Sequence, residues 1–214
     1  LNGAQVSAST SGVGDAGAIV VTATDDMVLT GEDSQGYASN IFSTVEPGAV
    51  GNAGGITIDT ASLSLTDGAQ INASTAGEGN AGAIVIDATN SILLQGQAKG
   101  QTSDGVGSRI LSQVQASGVG NANQISITTP QLTLLDGAVI AADTAGNGNA
   151  SSLVVNASEF LTLGANTRLS VETSSSGTPG DIEVTTPQLT IADNAQLSAT
   201  VTATSTNTAG GGNI

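Results

Sequence analysis

Residues 68–87 read GAQINASTAGEGNAGAIVID, residues 3–22 read GAQVSASTSGVGDAGAIVVT, and residues 137–156 read GAVIAADTAGNGNASSLVVN. Aligned on the first aliphatic residue after the turn, units begin at Ile19, Ile56, Ile84, Ile125, Leu153 and Ile182, and Ile214 opens another. The spacings are 37, 28, 41, 28, 29 and 32 residues. A base period near 28 with insertions is the mark of a repeat architecture, because only stacked copies of one unit require the same phrase at a fixed offset.

Within a unit the apolar period is two. Ile19/Val21, Ile56/Ile58, Ile84/Ile86, Ile125/Ile127, Leu153/Val155 and Ile182/Val184 share one face of a first strand. Met27/Leu29, Leu63/Leu65, Ile92/Leu94, Leu132/Leu134, Leu161/Leu163 and Leu189/Ile191 form a second alternating pair. A third run holds Ala4-Val6-Ala8, Ala69-Ile71-Ala73, Ala138-Ile140-Ala142, Thr167-Leu169-Val171 and Ala195-Leu197-Ala199. Three short strands, each with one inward face, predict a triangular coil. About six coils of roughly 28 residues, each about 4.8 Å above the last, would make a rod of about 30 Å. Helices are a poor alternative, given the absence of a 3.6-residue period and the density of Gly, Thr, Ser and Val.

The corners carry their own pattern. Asn52, Asn80, Asn121 and Asn149, with Asp15 in the first unit, sit just before the first strand. Stacked side-chain amides there can satisfy corner backbone groups along the rod. Asp67-Gly68 and Asp136-Gly137, with Asp193-Asn194 as a variant, predict a tight turn before the third strand. Two units lengthen that turn, at residues 31–39 and 95–108, and both insertions are expected to leave the same side of the rod roughly 10 Å apart. Tyr37 and Lys99 are the conspicuous contact-making side chains of those loops.

Composition narrows the function classes. Eighteen acidic residues against Lys99, Arg109 and Arg168 give a net charge of −15, which repels phosphate backbones and argues against a nucleic-acid partner. With no Cys and no His, the chain has no disulfide framework, no thiolate or imidazole zinc ligand and no nucleophile–His pair. No apolar run approaches the roughly 18 residues of a membrane span. Residues 1–214 read as one segment, cut from within a longer solenoid, since both ends fall inside repeat units.

The phrases SLTDGAQINASTAGEGNAGAIVIDA and SNIFSTVEPGAVGNAGGITIDT resemble repeats of large filamentous-haemagglutinin-like exoproteins, especially cyanobacterial ones. The likeness covers essentially the whole chain, is clearest over residues 38–90, and weakens over residues 151–214, where NASSLVV and TPGDIEV replace the Gly-Asn-Ala-Gly corner. It implies a right-handed parallel β-helix, export through a dedicated outer-membrane partner, and a cell-surface or extracellular role as adhesin or filament. It brings no catalytic residue, cofactor or metal.

A polysaccharide-binding or polysaccharide-cleaving β-helix is the principal rival, and a sheath or surface-layer component is the other. A cleaving site needs clustered carboxylates, basic residues and aromatic platforms. The three basic residues look scattered, and Asp59 and Asp87, equivalent positions in adjacent coils about 5 Å apart by the stacking repeat, have no aromatic floor beside them. Neither they nor Asp25, Asp26, Glu32 and Asp33 reproduce a spaced calcium loop. Outward rows mixing Thr, Val and Asp make no flat ice-binding array. The expectation is a non-enzymatic rod whose partners are its own neighbouring coils and, through the two loops, another filament or an external glycan or protein.

Overall fold

The computed structural model describes residues 3–99, 106–202 and 210–214, and these are all-β, with no helix among them. The first unit holds β1 (Gln5–Ser7), β2 (Ile19–Thr22) and β3 (Asp26–Leu29). Then come β4 (Asn40–Phe42), β5 (Ile56–Thr66), β6 (Gln70–Asn72), β7 (Ile84–Gln95), β8 (Arg109–Leu111), β9 (Ile125–Leu134) and β10 (Val139–Ala141). The last units hold β11 (Leu153–Leu163), β12 (Arg168–Ser170), β13 (Ile182–Thr185), β14 (Leu189–Ile191) and β15 (Gln196–Ser198).

These strands form two sheets, both parallel. One has seven strands in the order β1-β4-β6-β8-β10-β12-β15. The other has eight and runs β13-β11-β9-β7-β5-β2, with β14 beside β11 and β3 beside β5. Each strand pairs with its counterpart one unit away, so Ile56 faces Ile19 and Ile84, and Ile71 faces Ile41 and Ile110.

The expected three short strands per unit are only partly separate. In the middle units the first and second strands run together as one bent strand of 10 to 12 residues. The join is an irregularity in register, between Thr60 and Ser62, between Asp87 and Ser91, and between Ala157 and Phe160. Pro130 lies at this join inside β9, and Pro187 between β13 and β14, where the ladder is already interrupted and a missing N–H costs little.

The core is the set of inward rows. Ile56, Ile84, Ile125 and Leu153 are fully buried, as are Ile58, Ile86, Ile127 and Val155, while Ile71, Ile110, Ile140 and Leu169 close the third side. Full burial of each such side chain contributes about 1.5–3 kcal/mol. The same rows open up in the terminal units, where Val6, Leu189 and Ile191 are about half exposed, because each unit is covered by its two neighbours and these have one.

Turn chemistry follows the sequence. Asp67, Asp136 and Asn166 have φ of 56°, 55° and 57°, and Gly68 and Gly137 follow at 81° and 78°. At the other corner the left-handed residue is glycine alone: Gly51, Gly79, Gly120 and Gly148 have φ between 137° and 151°, and a Cβ on each would collide with the carbonyl of the glycine one unit earlier. The stacking contact itself therefore demands glycine. The neighbouring Asn supplies hydrogen bonds instead.

Two units depart from the others in a second way. Between the paired columns beyond the third strand, Thr75 and Glu78 are three positions apart, as are Thr144 and Asn147, but Val45 and Val50, like Val114 and Val119, are five apart. The same two units carry the long loops. Where a unit is short, a corner N–H reaches back to a third-strand carbonyl, Gly82 N to Ala73 O at 2.7 Å and Ser151 N to Ala142 O at 3.1 Å. In the longer units a serine hydroxyl fills the gap. Ser43 Oγ accepts from Gly54 N at 2.9 Å and donates to Gly17 O at 2.8 Å. Ser112 Oγ accepts from Asn123 N at 3.1 Å and donates to Gly82 O at 2.8 Å.

Candidate functional site

The corner residues Asn52, Asn80, Asn121 and Asn149 form a continuous ladder. The backbone N–H of Asn52 donates to Asp15 Oδ1 at 2.7 Å, that of Asn80 to Asn52 Oδ1 at 3.0 Å, and that of Asn121 to Asn80 Oδ1 at 2.9 Å. Asn149 N donates to Asn121 Oδ1 at 2.9 Å, and Thr178 N to Asn149 Oδ1 at 2.9 Å. Each amide oxygen thus satisfies a backbone donor one unit later, which is a structural task.

The two long loops touch. Glu32 Oε1 accepts from Lys99 N at 2.6 Å, in place of the roughly 10 Å gap that stacking alone implies. The first loop is a small hairpin, bridged at Glu32 and Ala38, in which Asp33 Oδ1 accepts from Gln35 N at 2.8 Å and Tyr37 N at 3.0 Å. Tyr37 is 49% exposed at its end. The second loop is bridged at Gln97 and Gly107, and the part of it at residues 100–105 lies outside the described residues. Lys99 borders a hollow with Asp67, Gln97, Asp136 and Asn166. Asp59 and Asp87 are stacked partners on β5 and β7, and among the described residues no three metal-ligating side chains converge.

The other polar concentration is on the outward face of the seven-stranded sheet. Its first row is Gln5, Asn40, Gln70, Arg109, Val139, Arg168, Gln196. The basic residues are therefore less scattered than they look in the chain: Arg109 and Arg168 flank Val139, two unit steps or about 10 Å apart. Beyond the strands runs a second column of side-chain acceptors, with Thr44 N on Ser9 Oγ at 2.9 Å, Gln113 N on Ser74 Oγ at 3.0 Å, and Glu172 N on Asp143 Oδ1 at 2.8 Å.

Asp143 gathers the densest set of partners on this face. Its Oδ2 accepts from Ser170 Oγ at 2.9 Å and Gln113 Nε2 at 3.2 Å, and lies 3.6 Å from Arg168 Nη2. Arg168 Nη1 also donates to Glu172 Oε2 at 3.2 Å. Burial raises the Asp143 carboxyl above its ordinary range, and the Glu172 N–H, the Arg168 charge and the Ser170 hydroxyl act against that rise. Burial also lowers the Arg109 guanidinium from its usual value. Arg168 sits between two carboxylates, so the cluster is locally anionic and the guanidinium is held in place.

Two hollows open on this face. One, of about 360 Å³, is bordered by Gln113, Gln115, Asp143, Arg168 and Glu172. The other, of about 330 Å³, is bordered by Asn40, Phe42, Gln70, Asn72, Pro47 and Gln115. Gln115 borders both, and the turns at Glu46-Pro47-Gly48 and Gln115-Ala116-Ser117, products of the two-residue insertions, rise beside them. The sequence pattern singles out none of Phe42, Gln115, Asp143 and Glu172, and it shows Arg168 only as one of three scattered basic residues. The signal was present: Ser74, Gln113, Asp143 and Glu172, each two past a third strand, form another column, and the lengths of the following turn alternate. Comparison of the chain with protein families, with curated proteins and with solved structures finds no match.

Proposed function

We propose that the chain winds as a right-handed parallel β-helix and serves as a stiff, non-enzymatic segment of a secreted or cell-surface exoprotein, an adhesin or extracellular filament. The observation that carries this reading is the register: from β1 to β15 every third strand pairs residue for residue with the next, without a shift. Such a stack resists bending, since a bend must break many ladder hydrogen bonds together. The resemblance to filamentous-haemagglutinin-like repeats supports the exported setting and the outer-membrane secretion partner. The acidic surface supports solubility of a long exposed rod. The touching loops at Tyr37 and Lys99 are the elements it presents to a neighbouring filament or an external glycan or protein.

The test has two arms. Spin labels at Thr57 and Glu183, four unit steps apart on one outward row, should lie about 19 Å apart, and a separation inconsistent with that stacking would end the β-helix reading. Antibody raised against the chain should label intact cells of its source; labelling that appears only after permeabilisation would end the cell-surface reading while leaving the fold untouched.

A further inference from the structure

The column of side-chain acceptors on the outward face of the seven-stranded sheet ties successive units together, but stacking does not explain the rest of that face. Elsewhere outward rows carry small side chains, such as Val20, Thr57, Val85, Ser126 and Val154. Here stand Phe42, a run of amide side chains and two of the chain's three basic residues. We propose that the trough formed by the two hollows that meet at Gln115 binds an extended, uncharged polysaccharide chain, with Phe42 as the platform for a sugar ring and the Asp143–Arg168–Glu172 cluster as the hydroxyl-binding end.

Length is the first argument. From the Asn40 row to the Arg168 row is four unit steps, about 19 Å, which suits a chain of several rings rather than one small molecule. Chemistry is the second. A sugar hydroxyl both donates and accepts, and amides offer both functions, as Asn72, Gln70, Gln113 and Gln115 do along the trough. At the far end Arg168 supplies donors, and Glu172 and Asp143 supply acceptors, already oriented by one another. The rim keeps them there without further ordering cost.

Charge selects among polymers. With a net −15 on the chain and two carboxylates against one guanidinium at the cluster, a uronate, sulfate or phosphate polymer is repelled. Geometry disfavours an extended peptide. Peptides bind sheets by pairing with a free strand edge, whereas each interior strand here already pairs on both sides and offers only its side-chain face. The inference needs only the stacked sheet, so it stands or falls separately from the exported-rod reading.

Native-gel retardation measures it directly, with the chain run through gels containing a β-glucan, a mannan, a dextran or, as the polyanion, polygalacturonate. At least one neutral polymer should retard the protein, polygalacturonate should not, and Phe42→Ala and Gln115→Ala should each weaken retardation at least tenfold. Gln115 is an exposed turn residue, so that variant keeps its fold even where Phe42→Ala does not, and Tyr37→Ala, on the loop tip, should leave retardation unchanged. Retardation by none of the neutral polymers, equal retardation by the polyanion, survival of binding in Gln115→Ala, or its loss in Tyr37→Ala would each overturn the proposal.

Discussion

Ser112 is the residue on which the longer units most plainly depend. It occupies the position held by Ala73 and Ala142 in the short units on either side, so Ser112→Ala copies the neighbours and removes one oxygen without changing the packing. That oxygen is fully buried; it takes the Asn123 N–H at 3.1 Å and gives its proton to the buried Gly82 carbonyl at 2.8 Å. The insertion of two residues carries the corner beyond direct reach, so the Asn123 N–H lacks the third-strand carbonyl that Gly82 N and Ser151 N use in the short units. A buried group left unpaired costs about 1–3 kcal/mol. For a chain of this length each kcal/mol lowers Tm by about 2–4 °C, so the loss should be roughly 2–12 °C by thermal unfolding. Amide exchange should speed up locally, at Asn123 and its stacked neighbours, before the far units respond. The reverse change, Ala142→Ser, places a hydroxyl where Ser151 N already donates to the Ala142 carbonyl at 3.1 Å, and should also destabilise. Ser126→Ala, on an outward row, should do nothing. If Ser112→Ala melts with the parent chain, the hydroxyl is incidental and the account of how insertions are tolerated is wrong.

Other expectations follow from the same geometry. Ile127→Asp buries an unpaired charge and should cost roughly 3–5 kcal/mol, whereas Thr57→Asp on the outward row of β5 should cost little; equal melting shifts would overturn the inside-outside assignment. Thr75→Val should stabilise by about 1 kcal/mol, because Thr75 Oγ1 is buried without a partner while Val45 and Val114 fill the same column one unit away; a lower midpoint in denaturant would refute it. Asp143 has its folded pKa raised by burial, so the native state holds that proton to higher pH than the unfolded chain. Its contribution to stability is therefore greatest in acid and falls as pH rises from the ordinary carboxylate value through the raised one, then stays level. Asp143→Asn should lose that slope in the mildly acidic range while the rest of the pH curve keeps its shape, and an unchanged curve would show that Asp143 does not titrate differently on folding.

How much of this could be read from residue order depends on what each feature repeats. Ile56, Ile58, Leu63, Leu65 and Ile71 recur in nearly every unit because a buried row admits little else, so the inward faces and the parallel stacking were legible. So was the Asn52–Asn80–Asn121–Asn149 column, although the left-handed backbone there belongs to the preceding glycine, whose requirement comes from the carbonyl stacked beneath it. The fusion of first and second strands was not legible. The residues at the join, such as Ala61 and Asn90, fall outside the paired register, and nothing in their chemistry separates a bend within one strand from a turn between two. The Asp143 cluster was hidden for a different reason. It joins residues from three units, at positions 113, 143, 168, 170 and 172, and no single unit displays a motif.

The coupling between insertion and serine suggests how such a rod acquires a surface feature without losing its core. A stack of this kind is stable only while every corner bond finds a partner, so a turn lengthened at random would leave buried N–H and C=O groups unpaired. The two lengthened units avoid this in the same way at both ends of the third strand. Ser39 Oγ donates to Thr30 O at 2.7 Å and Ser108 Oγ to Gln95 O at 2.9 Å beneath the long loops, while Ser43 and Ser112 close the opposite corner. Their third strands read SNIFS and SRILS, where a short unit has AQINA. The serines flanking an aliphatic residue thus identify, from sequence alone, the units in which turns on both sides have grown. Those units also bring Phe42 and Leu111 to the row where short units place Asn72 or Ala141, and one of them brings Arg109 to the row of Gln70 and Val139. Because the lengthened units alternate with short ones, the raised turns stand two steps apart, about 10 Å, with a low unit between them. A surface built this way is notched between its two raised turns, and their spacing is set by the backbone repeat rather than by any side chain.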